Sequence, residues 1–88
     1  MNITDVKIRL VTKPESKLLG VASFTIDDVF VIHDVKIIAG SNGNFIAMPS
    51  KQRADGEYKD IVHPLNTETR EAISNRILAE YEKAQQAE

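Results

Sequence analysis

Apolar and polar residues alternate along the first half of the chain with the period of two that β-strands show. The alternation is clearest over residues 3–12. One predicted face carries Thr4, Val6, Ile8, Leu10 and Thr12. The opposite face is charged and carries Asp5, Lys7 and Arg9. This pattern predicts a half-buried strand.

Two more strands are predicted over residues 18–26 and 29–39, joined by a turn at Asp27-Asp28. Gly20 suggests a bulge or a close backbone crossing within the second strand. Strict alternation in the third strand gives two mixed faces. One face carries Val29, Val31, His33, Val35 and Ile37. The other carries Phe30, Ile32, Asp34, Lys36 and Ile38.

Turn residues divide the next part of the chain into shorter strands. Residues 40–44 (GSNGN) predict a tight hairpin, and residues 45–48 then begin a fourth strand that Pro49 ends. Asp55-Gly56 predicts another turn. Residues 58–62 predict a return strand in which Tyr58 and either Ile61 or Val62 face inward. His63-Pro64-Leu65 interrupts it.

The pattern changes to a helical period after Asn66, which together with Thr67 is a candidate N-cap. The helix is predicted to run to about Lys83, with one apolar stripe that packs on the sheet. The stripe consists of Ala72, Ile73, Ile77, Leu78 and Tyr81. The predicted fold is α+β, an antiparallel meander of four to five strands followed by one C-terminal helix. Residues 1–84 form one domain and residues 85–88 a frayed tail.

Several predicted strands have apolar residues on both faces, whereas one helix can cover only one face of a sheet. This excess predicts a homodimer. The alternative is that some apolar residues are simply exposed.

Composition excludes several classes of protein. The chain has 88 residues, no cysteine and a net charge of −2, so it has no disulfide framework or thiolate zinc site. It has no long apolar run and no signal-peptide pattern at its start, so we expect a cytoplasmic protein without a membrane segment.

Catalytic and metal-binding patterns are weak. His33 and His63 have no metal-ligand spacing, and structural roles explain them better than acid–base chemistry. The serines lie in no nucleophile context. We therefore expect no enzymatic activity, no metal and no cofactor.

Basic residues gather around the predicted hairpin after Pro49. Lys51, Gln52 and Arg53 lie near its tip, Lys59 lies on the return strand and Arg70 lies near the helix start. If these elements pack together, the residues could converge into a phosphate-binding cluster. A solvated loop whose charges prevent edge pairing fits the residues equally well.

The same region resembles the SpoVG family of bacteria, known as stage V sporulation protein G and described as regulators of septation. The resemblance rests on residues 3–9 (ITDVKIR), 30–36 (FVIHDVK), 45–51 (FIAMPSK), 55–61 (DGEYKDI), 63–66 (HPLN) and Thr69-Arg70. These segments span nearly the whole chain in uninterrupted order.

The resemblance implies a small dimeric regulator of septation, sporulation and gene expression that binds DNA or RNA. It implies contacts from Lys51, Gln52, Arg53, Lys59 and Arg70. Family members often carry two adjacent basic residues after Pro-Ser, whereas this chain has Gln52 at the second position. An alternative is a protein–protein interaction module that acts on the division machinery without binding nucleic acid.

Overall fold

The computed structural model describes residues 2–13 and 15–86. Over these residues the chain forms six strands followed by one helix. The elements are β1 (Ile3–Leu10), β2 (Leu18–Ile26), β3 (Phe30–Gly40), β4 (Gly43–Ala47), β5 (Ser50–Gln52), β6 (Tyr58–Asp60) and α1 (Thr67–Gln86).

The strands belong to two sheets. β1 to β4 form an antiparallel meander in chain order, and β5 pairs only with β6 in a separate two-stranded sheet. The α+β class, the meander and the C-terminal helix are therefore confirmed. The return strand, predicted as part of the same meander, belongs instead to the small second sheet. Pro49 separates the two sheets because it has no N–H with which to continue the ladder.

One face of the large sheet packs against α1, which contacts β1 and β4. The buried core residues are Ala22, Phe24, Ile32, Val35, Ile37, Met48, Ile73, Ile77 and Tyr81. The predicted helical stripe is confirmed for Ile73, Ile77 and Tyr81, and Leu78 is half-buried. Ala72 is exposed because it lies one position, or about 100°, off the line of these three residues.

Two β-bulges overturn part of the predicted strand faces. In β3, Ser23 of β2 lies opposite both His33 and Asp34, and Asp34 has a φ of 63°. The extra residue changes the alternation, so Ile32 and Val35 both point into the core. Strict alternation placed Val31 and His33 on the same face as Val35, and this prediction is wrong.

The second bulge lies in β1, where Asp5 has a φ of 51° and the register shifts between Thr4 and Lys7. Val6, Ile8 and Leu10 pack against the core as predicted. Thr4 pairs with Thr25 on the outer face, so its predicted place on the inner face is wrong. The bulge moves it, because one extra residue reverses the faces of all positions on its far side.

Two glycines are required by close packing. An added Cβ at Gly20 would lie 3.0 Å from the Arg9 carbonyl oxygen, and the β2–β3 register shifts between Leu18 and Gly20. The bulge and the close crossing suggested there are both confirmed. At Gly40, a Cβ would lie 2.9 Å from the ring of Phe45. The β3–β4 turn that follows is made by Ser41-Asn42, and the predicted hairpin is confirmed.

Asn66 caps α1. Its Oδ1 accepts a hydrogen bond from the Thr69 N–H at 2.8 Å, which satisfies one of the free amides of the first turn. The helix continues through Gln86, two residues into the segment predicted as a tail. Residues 87–88 of that predicted tail lie outside the described residues.

Candidate nucleic-acid interface

The β5–β6 hairpin brings the basic residues near its tip together. Lys51 lies directly opposite Lys59, so their side chains share one face of the hairpin with Cβ atoms about 5 Å apart. Arg53 lies just beyond β5, where its N–H donates to the Glu57 carbonyl and extends the strand pairing by one residue. With this extension, Arg53 falls on the same side of the hairpin as Lys51 and Lys59.

The tip is held by its own backbone. The Arg53 N–H donates to the Glu57 carbonyl at 2.7 Å, and the Gly56 N–H donates to the Arg53 carbonyl at 3.0 Å. Asp55 Oδ1 accepts the Glu57 N–H at 3.0 Å, and Gly56 has a φ of 89°. The turn predicted at Asp55-Gly56 is confirmed. Gln52 Nε2 donates to the Gly56 carbonyl at 3.2 Å, so Gln52 braces the turn.

The hairpin cations face solvent without local partners. All residues from 50 to 61 are exposed. Within the described ranges, the ion pairs within 4.0 Å join Arg76 and Lys83 to Glu80 on the helix. Like charges directly opposite each other destabilise a strand pair, so the Lys51–Lys59 pairing is unfavourable for the isolated hairpin.

Four of the five predicted site residues line one open concavity. Lys51, Gln52, Arg53 and Lys59 contribute to it together with Ala54, Asp60 and Ile61. Arg70, the fifth, is an exposed residue in the first turns of α1 and does not line this concavity. The structure therefore groups the hairpin residues with each other and leaves Arg70 apart from them.

Tyr58 is exposed, and its predicted inward orientation is wrong. Its side chain is 70% exposed on the hairpin face opposite Lys59. Neither the helix nor the large sheet covers the hairpin, so neither of its faces becomes a core. Val62, which follows the hairpin, does pack against the core.

The two histidines lie in different settings. His33 is exposed at the β3 bulge. His63 is exposed between the hairpin and α1, and its Nδ1–H donates to the Pro64 carbonyl at 3.2 Å. Among the described residues, no group of three or more histidine, cysteine or acidic residues could hold a metal ion.

Three further cations lie on the outer face of the large sheet, away from α1. Lys7 and Arg9 project from β1 and Lys36 projects from β3, and all three are exposed. The alternation in β1 indicated that Lys7 and Arg9 share a face. Arg9 and Lys36 line a hollow together with Pro49 and Ser50 at the start of the hairpin, and no periodic pattern in the sequence indicates this proximity.

Comparison with known protein families agrees with the sequence and the fold. A family model described as SpoVG matches residues 1–83. The chain belongs to the SpoVG family. The resemblance found in the segments around the hairpin and the strands is thereby confirmed.

Individual SpoVG relatives match over nearly their whole length. A protein of Clostridium acetobutylicum is 57% identical over all of this chain and 92% of its own length. A protein of Lachnospira eligens is 54% identical over all of this chain and 99% of its own length. One from Clostridium perfringens is 58% identical over 94% of this chain and 91% of its own. Each is named "Putative septation protein SpoVG".

The helix of this SpoVG-family chain buries Ile73, Ile77 and Tyr81 and carries charged residues along its length. Among the residues that the structure describes, no helix combines the length and the apolar character needed to cross a membrane.

Proposed function

We propose that this SpoVG-family protein binds nucleic acid through the cations of the β5–β6 hairpin and acts as a cytoplasmic regulator of septation, sporulation and gene expression. The observation that carries the proposal is the exposed grouping of Lys51, Arg53 and Lys59 on one face of the hairpin. Phosphate groups are the ligands that such a set of guanidinium and ammonium groups recognises.

Electrostatics favours an anionic ligand at this place. Lys51 and Lys59 repel each other across the strand pair, and the attraction of each lysine to an anion bound between them would offset that repulsion. The functional part of the proposal, septation, rests on the names of the relatives. No catalytic step is part of the proposal.

The test is a fluorescence anisotropy titration of the wild-type protein with a labelled DNA duplex and a labelled single-stranded RNA at several salt concentrations. Three phosphate contacts per protomer predict a log–log salt slope of about −2.7 for duplex DNA or about −2.1 for a single strand. A second protomer on the same nucleic acid would steepen both slopes. Absence of binding at low salt, or binding that salt does not weaken, would contradict the proposal.

We further propose that the protein is a homodimer formed at the β2–β3 turn. Val29 is 83% exposed, Phe30 65% and Leu65 91%. Phe30 pairs with Ile26, and Leu65 follows Pro64 in the chain. Ile26 and Pro64 both line one small apolar hollow. A two-fold axis would allow this patch to bury the same patch of a second copy.

This surface differs from the one that the strand pattern indicated, which was the face of the large sheet that the helix leaves uncovered. The outer face of the sheet carries Lys7 and Arg9 on the edge strand β1 and Lys36 on β3, so a purely apolar interface there is unfavourable. Size-exclusion chromatography with light scattering tests the new surface. We expect a dimer for the wild type and a monomer for Phe30→Ser with Leu65→Ser. A monomeric wild type would contradict the proposal.

A protein–protein interaction module of the division machinery is the second candidate function. The exposed apolar side chains at the β2–β3 turn favour it, because such patches mark protein contacts. The two candidates differ in their response to nuclease. The interaction module is favoured if a division protein co-purifies with this chain after nuclease treatment. The same division protein should then also co-purify with a hairpin variant that has lost its cations.

A further inference from the structure

The outer face of the large sheet carries a row of residues that crosses three of its strands. Arg9 of β1 pairs with Val21 of β2, and Val21 pairs with Lys36 of β3. Directly opposite residues share a face of the sheet, so Arg9 and Lys36 flank Val21 on the outer face. Their backbones are two strand spacings, or about 10 Å, apart.

This row continues into the hairpin. Arg9, Val21 and Lys36 line a hollow together with Asp34 and with Pro49, Ser50 and Ile61 at the base of the hairpin. Ile61 also lines the concavity that contains Lys51 and Lys59. In the other direction, Arg9 and Val21 line a third hollow together with Lys7. Each hollow shares lining residues with the next, and we name the surface they make up together, from β1 to the hairpin, the groove.

The groove is positive although the chain is negative. The charged residues that line it are Lys7, Arg9, Lys36, Lys51, Arg53 and Lys59, with Asp34 and Asp60 opposing them. Six cations against two carboxylates leave an excess of four positive charges. The whole chain has a net charge of −2. A local excess of this size in a protein of opposite net charge directs a polyanion to this one surface.

We propose that Arg9 and Lys36 are nucleic-acid contacts, and that a bound strand runs from the hairpin across the outer face of the sheet. This inference rests on the proposed function and adds to it a second set of phosphate contacts outside the hairpin. The ligand chemistry is the phosphodiester backbone, which DNA and RNA share. The apolar patch at the β2–β3 turn lies outside the groove, so a homodimer formed there leaves the groove open.

The test compares three double variants by the salt dependence of binding. Arg9→Gln with Lys36→Gln removes two charges from the sheet part of the groove. Lys51→Gln with Arg53→Gln removes two from the hairpin. Arg76→Gln with Lys83→Gln removes two from the helix and is the matched control, because each variant changes the net charge from −2 to −4. Anisotropy titrations use a labelled DNA duplex and a labelled single-stranded RNA.

We expect the Arg9–Lys36 variant to bind at least about tenfold more weakly, since each charge-assisted hydrogen bond is worth about that factor. Its salt slope should be shallower by about 1.8 with the duplex or about 1.4 with the single strand, the value for two lost phosphate contacts. The arm with the larger loss of affinity identifies the nucleic acid that uses the groove. The helix control should keep the wild-type slope.

The possible negative results distinguish failure of the groove from failure of the proposed function. A wild-type slope in the Arg9–Lys36 variant, together with a reduced slope in the hairpin variant, would overturn the groove and leave the proposed function standing. Absence of binding by the wild type would overturn both. Arg9→Lys with Lys36→Arg keeps both charges and should keep the slope. A slope lost there as well would attribute the effect to distortion of the strands and overturn the groove.

Discussion

The sheet–helix body and the β5–β6 hairpin are held together by different interactions. Phe24, Ile37 and Ile77 are fully buried in the body, whereas every residue from 50 to 61 is exposed. The body is held by the burial of apolar surface between the sheet and α1. The hairpin has no core of its own and is held by backbone hydrogen bonds and by the turn around Asp55.

This difference separates stability from recognition. A side chain on the hairpin can change without leaving a cavity, so its chemistry is free to match a ligand. The opposed Lys51 and Lys59 show the consequence, because this pairing weakens the hairpin and would suit an anion. The groove between the hairpin and the outer sheet lies where these two regions meet.

The largest expected effect compares the same substitution in both regions. Ile77→Ala removes a fully buried side chain, and we expect it to lower the free energy of unfolding by about 2–5 kcal/mol. Ile61→Ala, at the base of the hairpin where the side chain is 63% exposed, should change it by less than about 0.5 kcal/mol. Urea denaturation followed by circular dichroism measures both. Equal losses would contradict the division between body and hairpin.

A middle-sized effect concerns the cap of α1, which belongs to the body. Asn66→Ala removes the acceptor of the Thr69 N–H and should cost about 1 kcal/mol. Asn75→Ala, at an exposed position within the same helix, should stabilise by a few tenths of a kcal/mol because alanine has the higher helix propensity. Thermal unfolding distinguishes them by sign. An unchanged or higher midpoint for Asn66→Ala would contradict the assigned cap.

The smallest effect lies in the hairpin itself. Lys59→Gln removes the repulsion from Lys51, and we expect slower hydrogen exchange at the Arg53 amide, which donates to Glu57. Added salt should slow the same amide in the wild type by screening the repulsion. Lys13→Gln, remote from this strand pair in the chain, is the control. Faster exchange in Lys59→Gln would show that the opposed lysines do not destabilise the hairpin.

Sequence patterns predicted the body better than the site. The stripe of Ile73, Ile77 and Tyr81 has a clear helical period, and the turns at Asp27-Asp28 and Asp55-Gly56 have residues suited to them. The bulge at His33-Asp34 escaped prediction because two polar side chains suit either face of the strand, so the sequence does not mark the inserted residue. Gly20, by contrast, did indicate the irregularity in β2.

Only the hairpin part of the candidate site could be predicted from the sequence. Lys51, Arg53 and Lys59 are close in sequence across a short turn, so local geometry is sufficient to bring them together. Arg9 and Lys36 are far apart in sequence and meet only through the register of three strands. Tyr58 was assigned inward because alternation cannot tell a strand over a core from a strand in a free hairpin.

The most direct test of the account measures binding and stability on the same hairpin variant. Lys51→Gln with Arg53→Gln should weaken binding to nucleic acid by at least about tenfold at low salt and leave the thermal midpoint of unfolding unchanged. Arg76→Gln with Lys83→Gln, which makes the same change in net charge, should leave the affinity unchanged. Wild-type affinity in the hairpin variant, or a loss of affinity that accompanies unfolding, would contradict the claim that the hairpin serves recognition rather than stability.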